Sequence, residues 1–270
     1  SEDQRQAADE SRRARRGDLS PGDGPEAALA DTRNFQRFHA DAFKEALRIS
    51  PVTAPDAPLA VVDIGAGACT VAVAMSEHWG ESVENVRYHA VEPHPTMNRL
   101  GTALLYEGGW RGQLVEQVGS LDDLSDHGEL RLLVTLSYVV HQSNVTEEDV
   151  SALADFIADQ TDQMERGTEV LTTTAISRNP LMQQRFRTPL LRSQLEDRGV
   201  QVEEAEESLR LRARYPPSHS PHMEQLLLER APEVSIAWSL GPVLTWPNVS
   251  VRHWRVSSDR RDPPSPSGSW

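Results

Sequence analysis

Two acidic residues and a pair of glycines carry the most specific chemistry in this sequence. Asp63, Gly65 and Gly67 stand in the run VVDIGAGACT over residues 61–70, and Glu92 closes the next apolar segment. Glycines two positions apart let a backbone turn sharply with no Cβ in the way. Where a helix follows, such a turn leaves free N–H groups that attract an anionic or strongly polar ligand. A carboxylate at the C-terminal end of a strand can accept two hydrogen bonds from a diol, with its geometry fixed by the strand. Tyr138 and His141 form a third group. Three apart, they share a face once a helix has begun. Imidazole takes a proton near neutral pH, so His141 is the candidate substrate contact or general base. A histidine satisfied by a backbone carbonyl in the core is the alternative reading.

The elements that must position these groups alternate in type. Val61, Val62 and Ile64 are apolar and mostly β-branched, as a buried parallel strand requires. Val71, Met75, His78 and Trp79 then fall on one face at helical spacing. A second strand runs from Val86 to Val91 and ends in Glu92, and a helix follows over about 96–107. The third strand is Gln113 to Val118, followed by Gly119-Ser120-Leu121-Asp122-Asp123-Leu124. The fourth, Leu130 to Leu136, runs into Ser137-Tyr138-Val139-Val140-His141-Gln142. Thr146 and Asp149 make a capping-box variant before the stripe Val150, Leu153, Phe156, Ile157 and Met164, and Gly167 ends that helix. Glu169 to Ile176 is the fifth strand. Five strands alternating with helices predict a parallel sheet.

Upstream, residues 31–49 predict a helix with Phe35, His39, Ala42, Phe43 and Ala46 on one face. Asp31 or Thr32 would cap it, and Pro51 stops it. Downstream the pattern is weaker. It gives a helix over 181–198, a strand from Leu209 to Tyr215, a short helix over 223–228, and strands over 234–240 and 249–256. Trp238, Trp246 and Trp254 fall here, and at most one of them is expected to wall a pocket. His219 and His222 flank a Ser-Pro pair that opposes a helix, so no metal site is expected.

Composition limits the classes. The 270 residues hold one α/β domain with additions, or two small domains. Net charge is −14, which repels a phosphate backbone and makes nucleic acid a poor partner. The single cysteine excludes an intramolecular disulfide and fits a reducing, cytoplasmic setting. No apolar run approaches a membrane span, and the start does not read as a signal peptide. Hydrophobic content is 38% and mean hydropathy −0.52, with much of the polarity at the two ends. Residues 1–30, with an arginine run at 12–16, predict a disordered arm, and 258–270 a second loose tail. High Arg and Ala, with Lys44 the only lysine, point to a GC-rich, bacterial genome.

In order, these segments resemble the class I S-adenosylmethionine-dependent methyltransferases. Asp63, Gly65 and Gly67 match the first motif, Asp/Glu-x-Gly-x-Gly-x-Gly, with Cys69 where the last glycine is usual. Residues 91–97, VEPHPTM, resemble the acid-and-turn segment of that family, and 137–142, SYVVHQ, resemble its fourth motif. The resemblance covers about residues 31–176. It implies a doubly wound, mostly parallel seven-stranded sheet with an N-terminal helix, the last strands forming a hairpin that closes the sheet. The domain would span 31–257, with a cofactor half at 31–176 and a substrate part at 177–257. It implies S-adenosyl-L-methionine as cofactor and a small-molecule acceptor. By that resemblance Asp63, Gly65 and Gly67 seat the methionine moiety, directly or through water, Glu92 holds the ribose, Pro93 is a further cofactor-binding residue, and Met97, Ser120 and Leu121 frame the adenine. Ser137 counts with the cofactor-binding residues, Tyr138 and His141 face the acceptor, and Arg33, Phe35, Phe38 and His39 could face the ligand from the N-terminal helix. Ser120 stands where the family commonly has an acid, so the adenine contact rests on a weaker, neutral acceptor or on Asp122. Three alternatives stay open: a Rossmann dehydrogenase, against which Thr70 at the sixth motif position counts; a non-catalytic partner-binding protein on the same fold; and a methyltransferase of ribosomal RNA or protein.

Overall fold

The computed structural model describes residues 28, 32, 36–50, 52–125, 127, 131–137, 139, 145–164, 168–175, 187–204, 209–211 and 249–258. Five strands come first: β1 (Leu59–Ile64), β2 (Val86–Val91), β3 (Gln113–Val118), β4 (Arg131–Ser137) and β5 (Thr168–Ala175). Three more follow: β6 (Val200–Glu204), β7 (Leu209–Leu211) and β8 (Val249–Ser258). The helices are α1 (Arg37–Ile49), α2 (Thr70–Trp79), α3 (Pro95–Glu107), α4 (Glu147–Gln163) and α5 (Thr188–Asp197). The strands form one sheet in the order β3-β2-β1-β4-β5-β8-β6, with β7 also on β8. β1 to β5 pair in parallel, and β8 runs antiparallel to β5. Seven sheet positions are therefore filled, the outermost by two short strands. β6 pairs with the end of β8 and β7 with its start.

β2 to β5 fall within a residue of their expected bounds, and β1 reaches back to Leu59, two residues before Val61. The last part of the sheet differs from expectation. One edge of β8 is taken by β5 and the other by Val200–Glu204 and Leu209–Leu211. The strand expected over 234–240 lies outside the described residues, as do Trp238, Trp246, His219, His222 and Gly167. β6 escaped the sequence reading because VQVEE is short and half polar, an edge strand with only Val200 and Val202 facing inward. Helix α1 is described from Arg37, with Gln36 before it already in helical conformation and without a side-chain cap; Asp31, an expected cap, lies outside the described residues.

Two apolar layers sandwich the sheet. On one face Val61, Tyr88, Leu133 and Leu171 pack against Phe43, Ala46 and Leu47 of α1 and Val71, Met75 and Trp79 of α2. His78, expected on that inner face, is exposed; the buried stripe is Val71, Ala72, Ala74, Met75 and Trp79. On the other face Val62, Leu132, Val134 and Leu136 meet Val150, Leu153 and Ile157 of α4 and Leu191 and Leu195 of α5. Trp254 is fully buried in this layer, so it is core and not a pocket wall. The capping box forms as expected: the Thr146 hydroxyl accepts the Asp149 amide at 3.1 Å, and Asp149 Oδ2 accepts the Thr146 amide at 2.8 Å. Among the described residues no helix is long and apolar enough to cross a membrane.

Candidate functional site

In the order β2-β1-β4 the chain leaves β1 in opposite directions, which opens a crevice at the carboxyl ends of those strands. The glycine turn lies there. Gly65 has φ +66°, Gly67 φ +55° and Cys69 φ +56°, so every second residue is left-handed. Cys69, in the place of the third glycine, keeps that conformation although a Cβ disfavours it. The amides of Gly65 and Ala66 donate to the Val91 carbonyl at 2.8 and 3.1 Å, so the turn after β1 is held by the end of β2. A Cβ on Gly65 would fall on Val139 Cγ2, just past β4, and one on Gly67 would meet Met97 Cε at 3.4 Å.

Glu92 ties this together. It is 5% exposed, and Oε2 accepts the Gly67 amide at 2.9 Å while Oε1 accepts the His94 amide at 2.9 Å. Each carboxylate oxygen can accept more than one hydrogen bond, so capacity for hydroxyl donors remains. Pro93 is exposed beside it. Met97 is buried with Ala28, Ala68 and Leu104, and the Thr32 hydroxyl lies 3.9 Å from its sulfur. Ala28 falls within the expected unstructured arm yet packs here.

Asp63 is placed differently from its expected contact with a ligand. It is 1% exposed beneath the turn, and its oxygens accept the hydroxyls of Tyr88 and, at 2.7 Å, Thr135. Burial pushes its carboxyl up to about 7; the two hydroxyls pull down, and the charge of Glu92 pushes up. Burial also raises the Cys69 thiol and the Tyr88 phenol. Neither is a nucleophile at neutral pH.

Two residues that the sequence reading did not select flank the turn. Gln36 donates from Nε2 to the Ala68 carbonyl at 2.8 Å, and Asn98 donates from Nδ2 to the Glu92 carbonyl at 2.9 Å. Their amide oxygens, Oε1 and Oδ1, are buried with no partner. Each is an acceptor looking for a donor. Nothing in the sequence marks them, because an amide becomes informative only once its neighbours are known. Gln117 is a third. It donates to the Asn98 carbonyl at 3.2 Å, accepts from Thr102, and lies 3.5 Å from Cys69 Sγ.

A bulge in β3 aims Gln117 there. Tyr88 pairs with Leu114 but His89 with Glu116, so Val115 is the extra residue. The same shift places Glu116 on the opposite face beside His89. Glu116 Oε1 meets His89 Nδ1 at 2.7 Å, the Ser125 hydroxyl at 2.8 Å and the Ser125 amide at 3.1 Å. Burial works against the charge, but these bonds hold the Glu116 carboxyl below its usual range. The loop carrying Ser120 and Leu121 is thereby pinned at its far end. Ser120 is exposed and donates to Asp123 Oδ2 at 2.9 Å; Leu121 is half-buried. Ser137 closes β4, its hydroxyl 3.2 Å from that of Thr173 on β5.

Tyr138 and His141 lie outside the described residues, as do Arg33 and Phe35 and the side chain of Phe38. His39 is half-buried on α1. The structure thus brings together Gly65, Gly67, Glu92 and Met97 at one crevice, with Asp63 buried beneath the turn and Ser120, Leu121 and Ser137 at the ends of β3 and β4. Among the described residues no cluster of His, Cys, Asp or Glu is arranged to hold a metal.

No protein-family model matches the sequence, and no curated protein does either. Solved structures do. One is the O-methyltransferase NcsB1 from neocarzinostatin biosynthesis, in complex with S-adenosyl-L-homocysteine and 1,4-dihydroxy-2-naphthoic acid. It is similar at a TM-score of 0.51 and 15% identity, over 88% of this chain and 60% of that one. A putative O-methyltransferase from Nostoc punctiforme is similar at a TM-score of 0.50 and 13% identity, over 86% of this chain and 59% of that one. This chain therefore spans about three fifths of the length of each. The fold is that of the class I S-adenosylmethionine-dependent methyltransferases.

Proposed function

We propose that the chain is an S-adenosylmethionine-dependent methyltransferase that transfers a methyl group to an oxygen, nitrogen or carbon of a small molecule. The observation that carries this reading is the closure of Glu92 on the Gly67 amide at the sheet's switch point. It presents a buried carboxylate beside a left-handed glycine turn. The residues fit the cofactor. Its ammonium, ribose hydroxyls and adenine amine are donors, and beside the turn stand the Glu92 carboxylate and two buried amide oxygens without partners. Gly65 and Gly67 give the turn its left-handed backbone beside that carboxylate. The O-methyltransferase neighbours support a small-molecule acceptor, as does the acidic balance of −14, which disfavours RNA.

Gly65 and Gly67 would seat the methionine moiety, Glu92 with Pro93 the ribose, and Met97, Ser120 and Leu121 the adenine. When bound, the cofactor supplies an electrophilic methyl group, so the protein needs little covalent chemistry of its own. Its work is to align the acceptor and exclude water. Ser137 at the end of β4 would line the cofactor, and Tyr138 and His141 would face the acceptor. His141 would take the proton of a hydroxyl or amine nucleophile.

The first test is isothermal titration of the purified chain with S-adenosylmethionine, S-adenosylhomocysteine and NADH in parallel. Micromolar binding of the first two and none of the third is expected. Binding of NADH alone would favour a dehydrogenase, and binding of none would favour the partner-binding reading.

A further inference from the structure

Asp63 is a buried acid, and among the described residues the groups that act on its carboxyl include none that is positive. β2 supplies the Tyr88 hydroxyl, β4 the Thr135 hydroxyl, the segment after β2 the Glu92 carboxylate, and the start of α2 the Cys69 thiol. Neutral hydroxyls can hold a carboxylate, but they do not balance its charge in a low-dielectric interior. Its negative neighbour Glu92 has backbone amides to itself. The cluster therefore has a place for one more positive charge, and nothing described in the chain supplies it.

We infer that Asp63 is a buried counter-charge through which the site prefers a net-cationic cofactor to its net-neutral product. The inference rests on the cofactor reading above. S-adenosylmethionine carries an ammonium, a carboxylate and a sulfonium, net +1. After methyl loss the sulfonium is a neutral thioether, and S-adenosylhomocysteine is a net-neutral zwitterion. In the free chain the Asp63 carboxyl titrates at about 7. A cation bound at the turn favours the ionised form, so the proton leaves Asp63 for solvent as the cation arrives. The product gives less reason to release it. Asp63 then acts on charge and not by touching the ligand, in keeping with its 1% exposure. Tyr88 and Thr135 set where it titrates, without adding charge.

Calorimetry at pH 7 in phosphate and in Tris, which differ in ionisation enthalpy, counts the protons released. About half a proton per S-adenosylmethionine is expected, and clearly less per S-adenosylhomocysteine. The preference for the first ligand over the second should rise several-fold, on the order of 3 to 10, from pH 6 to pH 8. Asp63→Asn should still bind both, with the proton release and the pH dependence of the preference gone. Tyr88→Phe, which removes a donor to the ionised form, should keep the effect but move its midpoint to higher pH. Equal proton release for both ligands, or release that survives Asp63→Asn, would overturn the inference and leave the cofactor reading standing. Should neither ligand bind the parent chain, the cofactor reading fails first.

Discussion

The Glu92 carboxylate accepts the Gly67 amide at 2.9 Å, so the residue that ends β2 fixes the turn that follows β1. One side chain thus shapes the turn and, in the proposed function, would also hold a ligand. Glu92→Ala removes both, and S-adenosylhomocysteine affinity should fall at least about tenfold, the loss of one charge-assisted bond. Glu92→Gln keeps an acceptor and should fall between. Binding of the alanine variant as tight as the parent's would remove the ribose role.

Gly65 has two reasons to be glycine, and they separate experimentally. Its φ is +66°, and a Cβ would fall on Val139. Gly109 shares the backbone constraint at φ +76° but has nothing within 4 Å. Gly109→Ala should cost about 1 kcal/mol, the left-handed penalty alone. Gly65→Ala should cost about 1–3 kcal/mol more from overpacking. Denaturant midpoints of the two variants check the difference.

Cys69 holds a left-handed conformation with a buried side chain whose sulfur would lie 2.7 Å from a Cβ on Gly101. Cys69→Ala and Cys69→Gly lose the same sulfur contacts. Only the glycine relieves the backbone, so it should be the more stable of the two by about 1 kcal/mol. Equal stabilities would mean that the backbone relaxes away from φ +56° once the sulfur is gone.

Asp63 also makes stability depend on pH. Its carboxyl is raised from 3.8 to about 7 on folding, so the folded chain holds the proton more tightly than the unfolded one. That contribution is complete below the unfolded value and is lost as pH rises through about 7. Melting curves of the parent and Asp63→Asn should therefore diverge between pH 5 and pH 8, the variant gaining relative to the parent as pH rises. Parallel curves would show that Asp63 is already ionised in the folded chain.

Glu116 gathers three donors on one oxygen and pins Ser125 to β3. In Glu116→Ala the amides of residues 120–125 should exchange with solvent at least about tenfold faster, as a loop freed from its anchor does. Glu116→Gln, which retains an acceptor oxygen, should restore much of the protection. Unchanged exchange in the alanine variant would mean that the loop is held from elsewhere.

Much of this was legible in order along the chain. Apolar runs with β-branched residues marked β1 to β5, two glycines marked the turn, Thr146 and Asp149 the start of α4, and Glu92 the carboxylate at a strand end. Each of these is a local signal, set by side-chain spacing and by the conformations a residue allows. What only the tertiary structure decided was which groups meet. Asp63 faces Tyr88 and Thr135, one of them 72 residues away, and not the crevice. Gln36 reaches Ala68 across 32 residues, and a bulge decides that Glu116 faces His89 while Gln117 faces the turn. The edge of the sheet is closed by Val200–Glu204, a strand too short and polar to show itself before β8 offers it a partner. Local sequence sets the backbone within a few residues, but a polar side chain takes its partner from whichever strand the fold places beside it, and burial then leaves it no water as an alternative.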